Sequence, residues 1–455
     1  MKNLIYLLFV STVFLVGCSG SQSMEQWKPV GASQYAVKDG VLSLENGALI
    51  YKGPGAKKGF TDFELNGLVK TTPGALAGIW FHSNPDKKGY EVLIHNGPLD
   101  NSRKTGSLEA IRNLYKSMAK DNEWFPIRIL VRKKNITVQI NGQDVVCYTE
   151  PDFPFRTSLH RNRILGKGDF LLVGYKGKVD FKDFKITQLT ADAENLGKIP
   201  EAIDEQTDPI IRLQQRNFPV IDYHVHLKGL SMDEANAMSM SYGINYGIAP
   251  NCGIGFPITD DAGVRHYVDS TKHLPFYFGM QGEGREWVTT FSAASRRLFD
   301  YVFTDALTFH DHKGRRTRLW MPSEVFIDIP VEKYMDLIVD RIVTVLQTEP
   351  IDIYVNPTLL ATAMQPDYDK LWTKERYDKV IKALKDNNIA LEINAVYKIP
   401  NFEIIRAAKA AGVKFAFGTN NANRQIGKLE YCLQAIEACG LTENDLWFPV
   451  NRRKL

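Results

Sequence analysis

Two different periods of hydrophobic and polar positions divide this chain. Between about residues 26 and 190, apolar and polar residues alternate over short runs: "GVLSLENGALIYKG", "FTDFELNGLVKT", "ALAGIWFHS", "GYEVLIH", "FPIRILVRKKNITVQINGQDVVCYT" and "KVDFKDFKITQL". A period of two marks half-buried strands, and Asn141-Gly142 between alternating runs is the strongest short-range hairpin signal. Many short strands with few helical stretches predict an antiparallel β-sandwich over residues 24–190. The polar stretch 191–217, "ADAENLGKIPEAIDEQTDPIIRLQQRN", reads as a linker with one or two helical turns. From residue 218 the period changes. The β-like runs "FPVIDYHVH", "YGINYGIAPN", "LPFYFGMQGE", "FDYVFTDAL", "IDIYVNPT", "IALEIN" and "VKFAFGTNN" are separated by amphipathic stretches such as "VEKYMDLIVDRIVTVLQT" and "TKERYDKVIKALKDNN". Strands alternating with helices predict an α/β unit over 218–455, most simply a closed parallel (β/α) barrel.

Each of the seven runs ends in polar residues: His224 and His226; Asn251; Gln281 and Glu283; Asp305; Asn356; Glu392 and Asn394; Thr419, Asn420 and Asn421. Barrel sites gather at the carboxyl ends of strands, where loops vary without disturbing the core. Seven coincident polar tips therefore predict one pocket. In "DYHVHLKG", Asp222, His224 and His226 share a strand face at a spacing of roughly 6.6 Å, at which imidazoles can converge on a metal ion. Asn251, Gln281, Asn356, Asn394, Asn420 and Asn421 are expected to contact substrate, because amides offer paired donors and acceptors to neutral hydroxylated ligands such as sugars. Arg285 is a candidate catalytic residue beside them. Glu392 either ligates or hydrogen-bonds the strand end.

Composition narrows the partners. The 56 Lys and Arg against 52 Asp and Glu leave a formal charge of +4, small for 455 residues. No aromatic-interleaved basic stripe accompanies Arg132-Lys133-Lys134 or Arg315-Arg316, so nucleic acid is not an expected partner. Lys2, an apolar stretch over residues 4–16 too short to span a bilayer, and Leu15-Val16-Gly17-Cys18 open the chain. This segment resembles a bacterial lipoprotein signal. The resemblance implies acylation of Cys18, residues 19–23 as a tether, and a lipid-anchored protein of the cell envelope, in the periplasm or at the outer-membrane surface. Cys147, Cys252, Cys432 and Cys439 do not form a disulfide framework; Cys432 and Cys439 would lie roughly 10 Å apart along one helix. Free, mostly buried thiols are expected.

The residues 218–445 resemble the polymerase and histidinol phosphatase (PHP) superfamily, whose distorted seven-stranded barrel begins with an Asp-x-His-x-His strand. The resemblance implies metal-dependent hydrolysis of phosphoesters, with His224 and His226 as the first ligand pair, Glu283 in "GMQGEGREW" as the bridging glutamate, and His310 or His312 in "DALTFHDHKG" as a further histidine. The chain departs from that pattern at Ala249-Pro250-Asn251, Asn356-Pro357 and Thr419-Asn420-Asn421-Ala422, where amides replace ligands. Amides are weak neutral ligands. One divalent metal ion at most is therefore implied, held by His224, His226 and Glu283 with help from Asp305, His310 or His312, and serving as a Lewis acid or activating water.

Residues 25–190 resemble the 3-keto-disaccharide hydrolase domains, also described as 3-keto-glucoside 1,2-lyase/hydratase domains, with a concanavalin-like jelly-roll fold. The carrying residues are "FTDFELNGLVKTTPGALAGIWFHS", "KGYEVLIHNG", "NEWFPIRILVRKKNITVQINGQDVV" and "VDFKDFKITQL". A ketone at C3 acidifies the C2 proton, so a base removes it and the oxygen at C1 leaves; hydration of the enone completes hydrolysis. Such chemistry needs a general base and an oxyanion stabiliser. The candidates are Glu91 as base, with His82 and His95 on neighbouring strands. His82 stands where the family commonly has arginine, and Leu93 and Asn96 where it commonly has glutamine and aspartate. Trp80 reads as core or as a sugar platform. Three functions compete: an envelope hydrolase or lyase acting on 3-keto-glycosides or a related sugar, with a metal-assisted site in the barrel; a glycan-binding protein without chemistry; and a metal-dependent phosphoesterase carrying a carbohydrate-binding module.

Overall fold

The computed structural model describes residues 23–85, 88–190 and 199–452. The lipoprotein-like segment with Cys18 lies outside them. Among the described residues no helix is long and apolar enough to cross a membrane.

The N-terminal half is built from β1 (Trp27–Lys38), β2 (Val41–Tyr51), β3 (Phe63–Thr71), β4 (Leu76–Ser83), β5 (Tyr90–Ile94), β6 (Phe125–Arg132), β7 (Asn135–Ile140), β8 (Gln143–Thr149), β9 (Asp169–Lys176) and β10 (Val179–Gln188). They pair antiparallel in the order β5-β4-β9-β2-β10-β3-β6-β7-β8, with β1 on β2. The sheet doubles over at β2: residues 47–50 pair with β9 and residues 41–44 with β10. Gly177, at φ 68°, separates β9 from β10 and supplies the left-handed backbone of that corner. Alternate side chains of both layers meet in one apolar core; Phe63, for instance, packs edge-on to Phe170 at 4.6 Å and Phe81 at 5.4 Å. The result is the expected antiparallel sandwich. The hairpin expected at Asn141-Gly142 joins β7 to β8, and both residues take the positive φ that a tight two-residue turn requires, 54° and 79°.

The C-terminal half holds β11 (Ile221–Val225), β12 (Asn245–Ile248), β13 (Asn251–Cys252), β14 (Tyr277–Gly282), β15 (Tyr301–Thr304), β16 (Thr308–His310), β17 (Arg316–Arg318), β18 (Ile353–Tyr354), β19 (Ala390–Asn394) and β20 (Phe415–Gly418). Strands β11, β12, β14, β15, β18, β19 and β20 close into a parallel barrel, the seven runs read from the sequence. β13 prolongs β12 beyond Ala249-Pro250 and pairs with β14, while β16 and β17 form a separate hairpin. Helices cover the barrel with single apolar faces. Helix Val331–Thr348 buries Tyr334, Met335, Ile338, Val339, Ile342, Val345 and Leu346, which recur every three or four residues as one stripe. Helix Met232–Tyr242 starts at a reciprocal Ser231/Glu234 capping box and stops at Gly243 in the left-handed region. The four described cysteines are free; Cys252, Cys432 and Cys439 are buried and Cys147 partly so.

The sandwich docks on the amino end of the barrel, through the segment between β5 and β6. The Tyr277 hydroxyl at the start of β14 donates to the Tyr115 carbonyl at 2.6 Å, the Asn245 amide at the start of β12 donates to the Asn113 carbonyl at 3.0 Å, and Lys116 pairs with Asp300 ahead of β15 at 2.6 Å. The described part of the linker is tied down. Glu205 is buried and accepts from the Tyr148 hydroxyl at 2.7 Å, Phe155 N at 2.8 Å and Arg156 at 2.6 Å. The carboxyl ends of the barrel strands therefore face away from the sandwich.

Candidate functional site

On β4, Ile79 and Phe81 turn into the sandwich core, so Trp80 between them lies on the opposite face. There it joins Ala48, Ile50, Leu171 and Val173 in a second, smaller apolar cluster. Glu91 of β5 is its cross-strand partner and is only 4% exposed. Room for that carboxylate comes from Gly78, where a Cβ would stand 2.1 Å from Glu91 Oε1. The Tyr175 hydroxyl donates to Oε1 at 2.8 Å and accepts from Trp80 Nε1 at 3.1 Å. Arg163 reaches Oε2 at 3.3 Å, stacks its guanidinium 4.7 Å over the Trp80 ring and also pairs with Glu109, which in turn holds Arg103. Burial pushes the Glu91 carboxyl above its ordinary value; Arg163 and the Tyr175 bond oppose that shift and Glu109 adds to it. A buried carboxylate with raised proton affinity, a tyrosine hydroxyl, a guanidinium and an indole face thus converge at one place. Tyr175, exposed at its outer edge, opens the cluster to solvent.

The two histidines expected beside Glu91 are elsewhere. His82 occupies a bulge at the end of β4 with φ 47°; its Nε2 lies 2.7 Å from the Thr61 carbonyl and its Nδ1 accepts from Gly166 N at 3.2 Å. The irregular pairing between Trp80 and Ser83 turns it out of the row that carries Trp80. His95 stands four residues beyond Glu91, roughly 13 Å along an extended strand, with Nδ1 at 2.9 Å from the Ala75 carbonyl. Sequence reading missed Arg163, Glu109 and Tyr175 as the partners of Glu91, because each arrives from a distant part of the chain.

At the carboxyl end of the barrel, His224 Nδ1 lies 2.6 Å from Glu392 Oε1, and His226 Nδ1 lies 3.0 Å from the Ala249 carbonyl. Gly418 makes space for the His224–Glu392 pair, since a Cβ there would stand 2.1 Å from Glu392 Oε1. Burial alone would lower the His224 pKa, but Glu392 and Asp222 outweigh it and raise it. His226, buried beside the His224 charge, is pushed down to about 3. Of the amides, Asn356 Oδ1 accepts from Asn394 at 3.1 Å and Asn420 at 2.7 Å, and its own amide donates to Asp305 at 3.3 Å. Asn251 and Gln281 both donate to Glu283 Oε1. Asn421 instead clasps the two backbone ends, accepting from His226 N at 2.8 Å and donating to the His226 carbonyl at 2.6 Å.

Hydrogen bonds already engage the carboxylates expected to hold a metal ion. Glu283 Oε1 is capped by two amides, Glu392 Oε2 by Asn356 N and the Asn394 amide, and Asp305 by Leu307 N and the Asn356 amide. N–H donors thus occupy these carboxylate oxygens, and among the described residues no three His, Cys, Asp or Glu side chains come together as a ligand group. Burial, reinforced by Asp305, pushes the Glu283 carboxyl up to about 7. His310 and His312 are not added to His224 and His226: His310 is exposed on the β16–β17 hairpin, and His312 Nε2 pairs with Asp328 at 2.8 Å. Arg285 is a brace, donating to Glu349 at 2.9 Å, to the Thr304 hydroxyl at 2.9 Å and to the Asp305 carbonyl at 2.8 Å.

Glu349 carries a pH prediction. Burial pushes its carboxyl from 4.5 up to about 7, against the pull of Arg285. The folded state then holds a proton that the unfolded chain has lost between about pH 4.5 and 7, so stability declines as pH rises through that window. Urea unfolding at a series of pH values should show a fall of roughly 1–3 kcal/mol, and Glu349→Gln should reduce the slope. An unchanged slope in the variant would show that Glu349 is not its source.

The comparisons bear on the N-terminal sandwich. Residues 18–187 match the family model of the 3-keto-alpha-glucoside-1,2-lyase-like domain. Among solved structures the chain is similar to a candidate glycosyl hydrolase from Parabacteroides distasonis ATCC 8503, at 16% identity over 37% of this chain and 91% of that one, with a TM-score of 0.33. A second candidate glycosyl hydrolase from the same organism gives 21% identity, 36% and 99% coverage and a TM-score of 0.29. The carbohydrate binding module CBM66 from Bacillus subtilis gives 12% identity, 36% and 96% coverage and a TM-score of 0.27. No curated protein matches the chain.

Proposed function

We propose that the sandwich cleaves 3-keto-glucosides, with Glu91 as the general base that removes the C2 proton. The observation that supports this most is the environment of Glu91, a buried carboxylate with raised proton affinity on the face opposite the core, beside an indole and a tyrosine hydroxyl. Loss of the C2 proton places charge on the C3 oxygen as an enolate. Its collapse breaks the C1–oxygen bond, and the leaving alkoxide takes up a proton. Water then adds at C1 of the enone and a proton returns to C2. Arg163 is the donor nearest the base and is assigned to the enolate oxygen. The indole of Trp80, stacked under Arg163, holds that guanidinium beside Glu91.

The test is selectivity. A chromogenic 3-keto-α-glucoside should release its aglycone, and the unoxidised glucoside, whose C2 proton is not acidified, should not. Equal release from both would point to ordinary glycoside hydrolysis and remove the role of the ketone. A glycan-binding reading is favoured by one specific observation: Tyr175 and Arg163 each engage one oxygen of Glu91, which suits a structural carboxylate. Saturable binding without release in the same assay would select it. The phosphoesterase reading has less support, because amides occupy the ligand positions of the barrel.

The N-terminal segment extends the proposal to a lipid-anchored envelope protein. Growth with a labelled fatty acid should label the full chain and leave Cys18→Ala unlabelled. Equal labelling of both would place the anchor elsewhere.

A further inference from the structure

We infer that a cavity at the junction of sandwich and barrel binds a monocarboxylate with an apolar tail, through the guanidinium of Arg112. The site uses none of the residues of the Glu91 cluster and stands apart from the reading of that cluster. The cavity measures about 360 Å³, within the range of small-molecule sites. Strand β8 of the sandwich, the linker around Pro200 and the helix Met232–Tyr242 of the barrel half all border it.

Arg112 supplies the charge. It lies in the segment between β5 and β6 and is only 6% exposed. Gly243, just past the helix, gives its stem room, since a Cβ there would stand 3.3 Å from Arg112 Cδ. The guanidinium lies 5.2 Å over the Tyr148 ring, and Nη1 donates to the Ile111 carbonyl at 2.9 Å. Nε is buried with no hydrogen-bond partner among the described residues, and no carboxylate among them forms an ion pair with this side chain. The Arg112 charge reaches Asp208. Yet the Asp208 carboxylate is turned to the helix Pro209–Gln215, which it caps by accepting from Ile210 N at 2.9 Å. A buried cation held by one ring face and one carbonyl is poorly compensated. The planar fork of a carboxylate is the group that matches a guanidinium.

The rest of the wall decides what that carboxylate is attached to. Ile203, Ala237, Met238, Met240 and Tyr242 give the cavity an apolar lining, and methionine adapts to irregular apolar shapes. The hydroxyls beside them are already committed: Tyr148 donates to Glu205 at 2.7 Å and Thr149 to the Pro200 carbonyl at 2.8 Å. A sugar would therefore meet few fixed donors, whereas an alkyl chain meets a continuous apolar surface. Among the described residues Arg112 is the one cation that borders the cavity, which suits a single negative charge better than a phosphate dianion. Glu201, exposed at the edge, would repel a second charge on the tail.

The test titrates octanoate into the full chain by isothermal calorimetry, with acetate and octanol as its separate charged and apolar halves. Octanoate should bind saturably, and each half about tenfold more weakly or less tightly still. Arg112→Met keeps an apolar stem and removes the charge; it should weaken octanoate by about tenfold or more and leave octanol unchanged. Ala237→Trp, at an exposed helix position on the cavity wall, keeps the proposal testable if that variant does not fold: it fills the space and should abolish octanoate binding. Cys147, the partly exposed thiol on the wall, reports the location, because octanoate should slow its alkylation by iodoacetamide in peptide mass mapping. The inference is overturned if octanoate does not bind, if octanol or acetate binds as tightly, if Arg112→Met or Ala237→Trp leaves octanoate binding unchanged, or if Cys147 reacts at one rate with and without octanoate.

Discussion

Glu91→Gln should lower kcat on a 3-keto-glucoside by about 10²–10⁴-fold with little change in KM, the usual range for removal of a general base. Glutamine keeps the shape of the side chain and an oxygen for the Tyr175 hydroxyl, so the pocket beside Gly78 stays filled. It cannot accept the C2 proton, and its amide faces Arg163 where the carboxylate had been attracted. In the parent protein, kcat should rise with pH as Glu91 deprotonates, at a pH above the ordinary carboxylate range because burial raises its pKa. That rising limb should disappear in the variant. Turnover retained at the parent level, with the pH profile intact, would place the base elsewhere.

Asp222→Ala should remove roughly 3 kcal/mol or more of stability, measured by urea unfolding. The seam that closes the barrel between β11 and β20 is short, with Asp222 opposite Phe417 as its one paired position. Beyond it, Asn420 N donates to the His224 carbonyl at 2.9 Å, Asn421 clasps His226, and the Asp222 side chain supplies the other links. Its Oδ1 accepts from Thr419 N at 2.9 Å and His224 N at 3.2 Å, and Oδ2 accepts from the Thr419 hydroxyl. Alanine leaves three buried donors without this partner at the point of closure. Asp222→Asn retains one acceptor and can donate to the threonine oxygen, so it should lose less. A melt indistinguishable from the parent in Asp222→Ala would show that the helices alone hold the seam.

The periods of two and of strand–helix alternation were sufficient to read a sandwich followed by a seven-stranded barrel, because both depend on local patterns of burial. They also gave the polar strand tips, and these do meet at the carboxyl end of the barrel. Spacing could not say what the tips do to one another. Asp222 shares the strand pattern of His224 and His226, yet its carboxylate braces β20; Asn421 clasps backbone, and the amides expected to meet substrate also cap the carboxylates. Histidines 82 and 95 were placed beside Glu91 by assuming regular pairing, and a bulge after Trp80 removes the first. Arg163 and Glu109 lie in irregular segments that carry no period at all. The one local signal for the Glu91 pocket was Gly78 in an otherwise apolar strand, a mark of close approach.

The most direct measurement of the central claim is turnover of a 3-keto-glucoside in D₂O, with the product read by NMR at C2. If Glu91 drives β-elimination followed by hydration, the released 3-keto sugar should carry deuterium at C2, and Glu91→Gln should form almost none of this product. Release of a product that keeps its original proton at C2 would contradict the elimination route and the role assigned to Glu91.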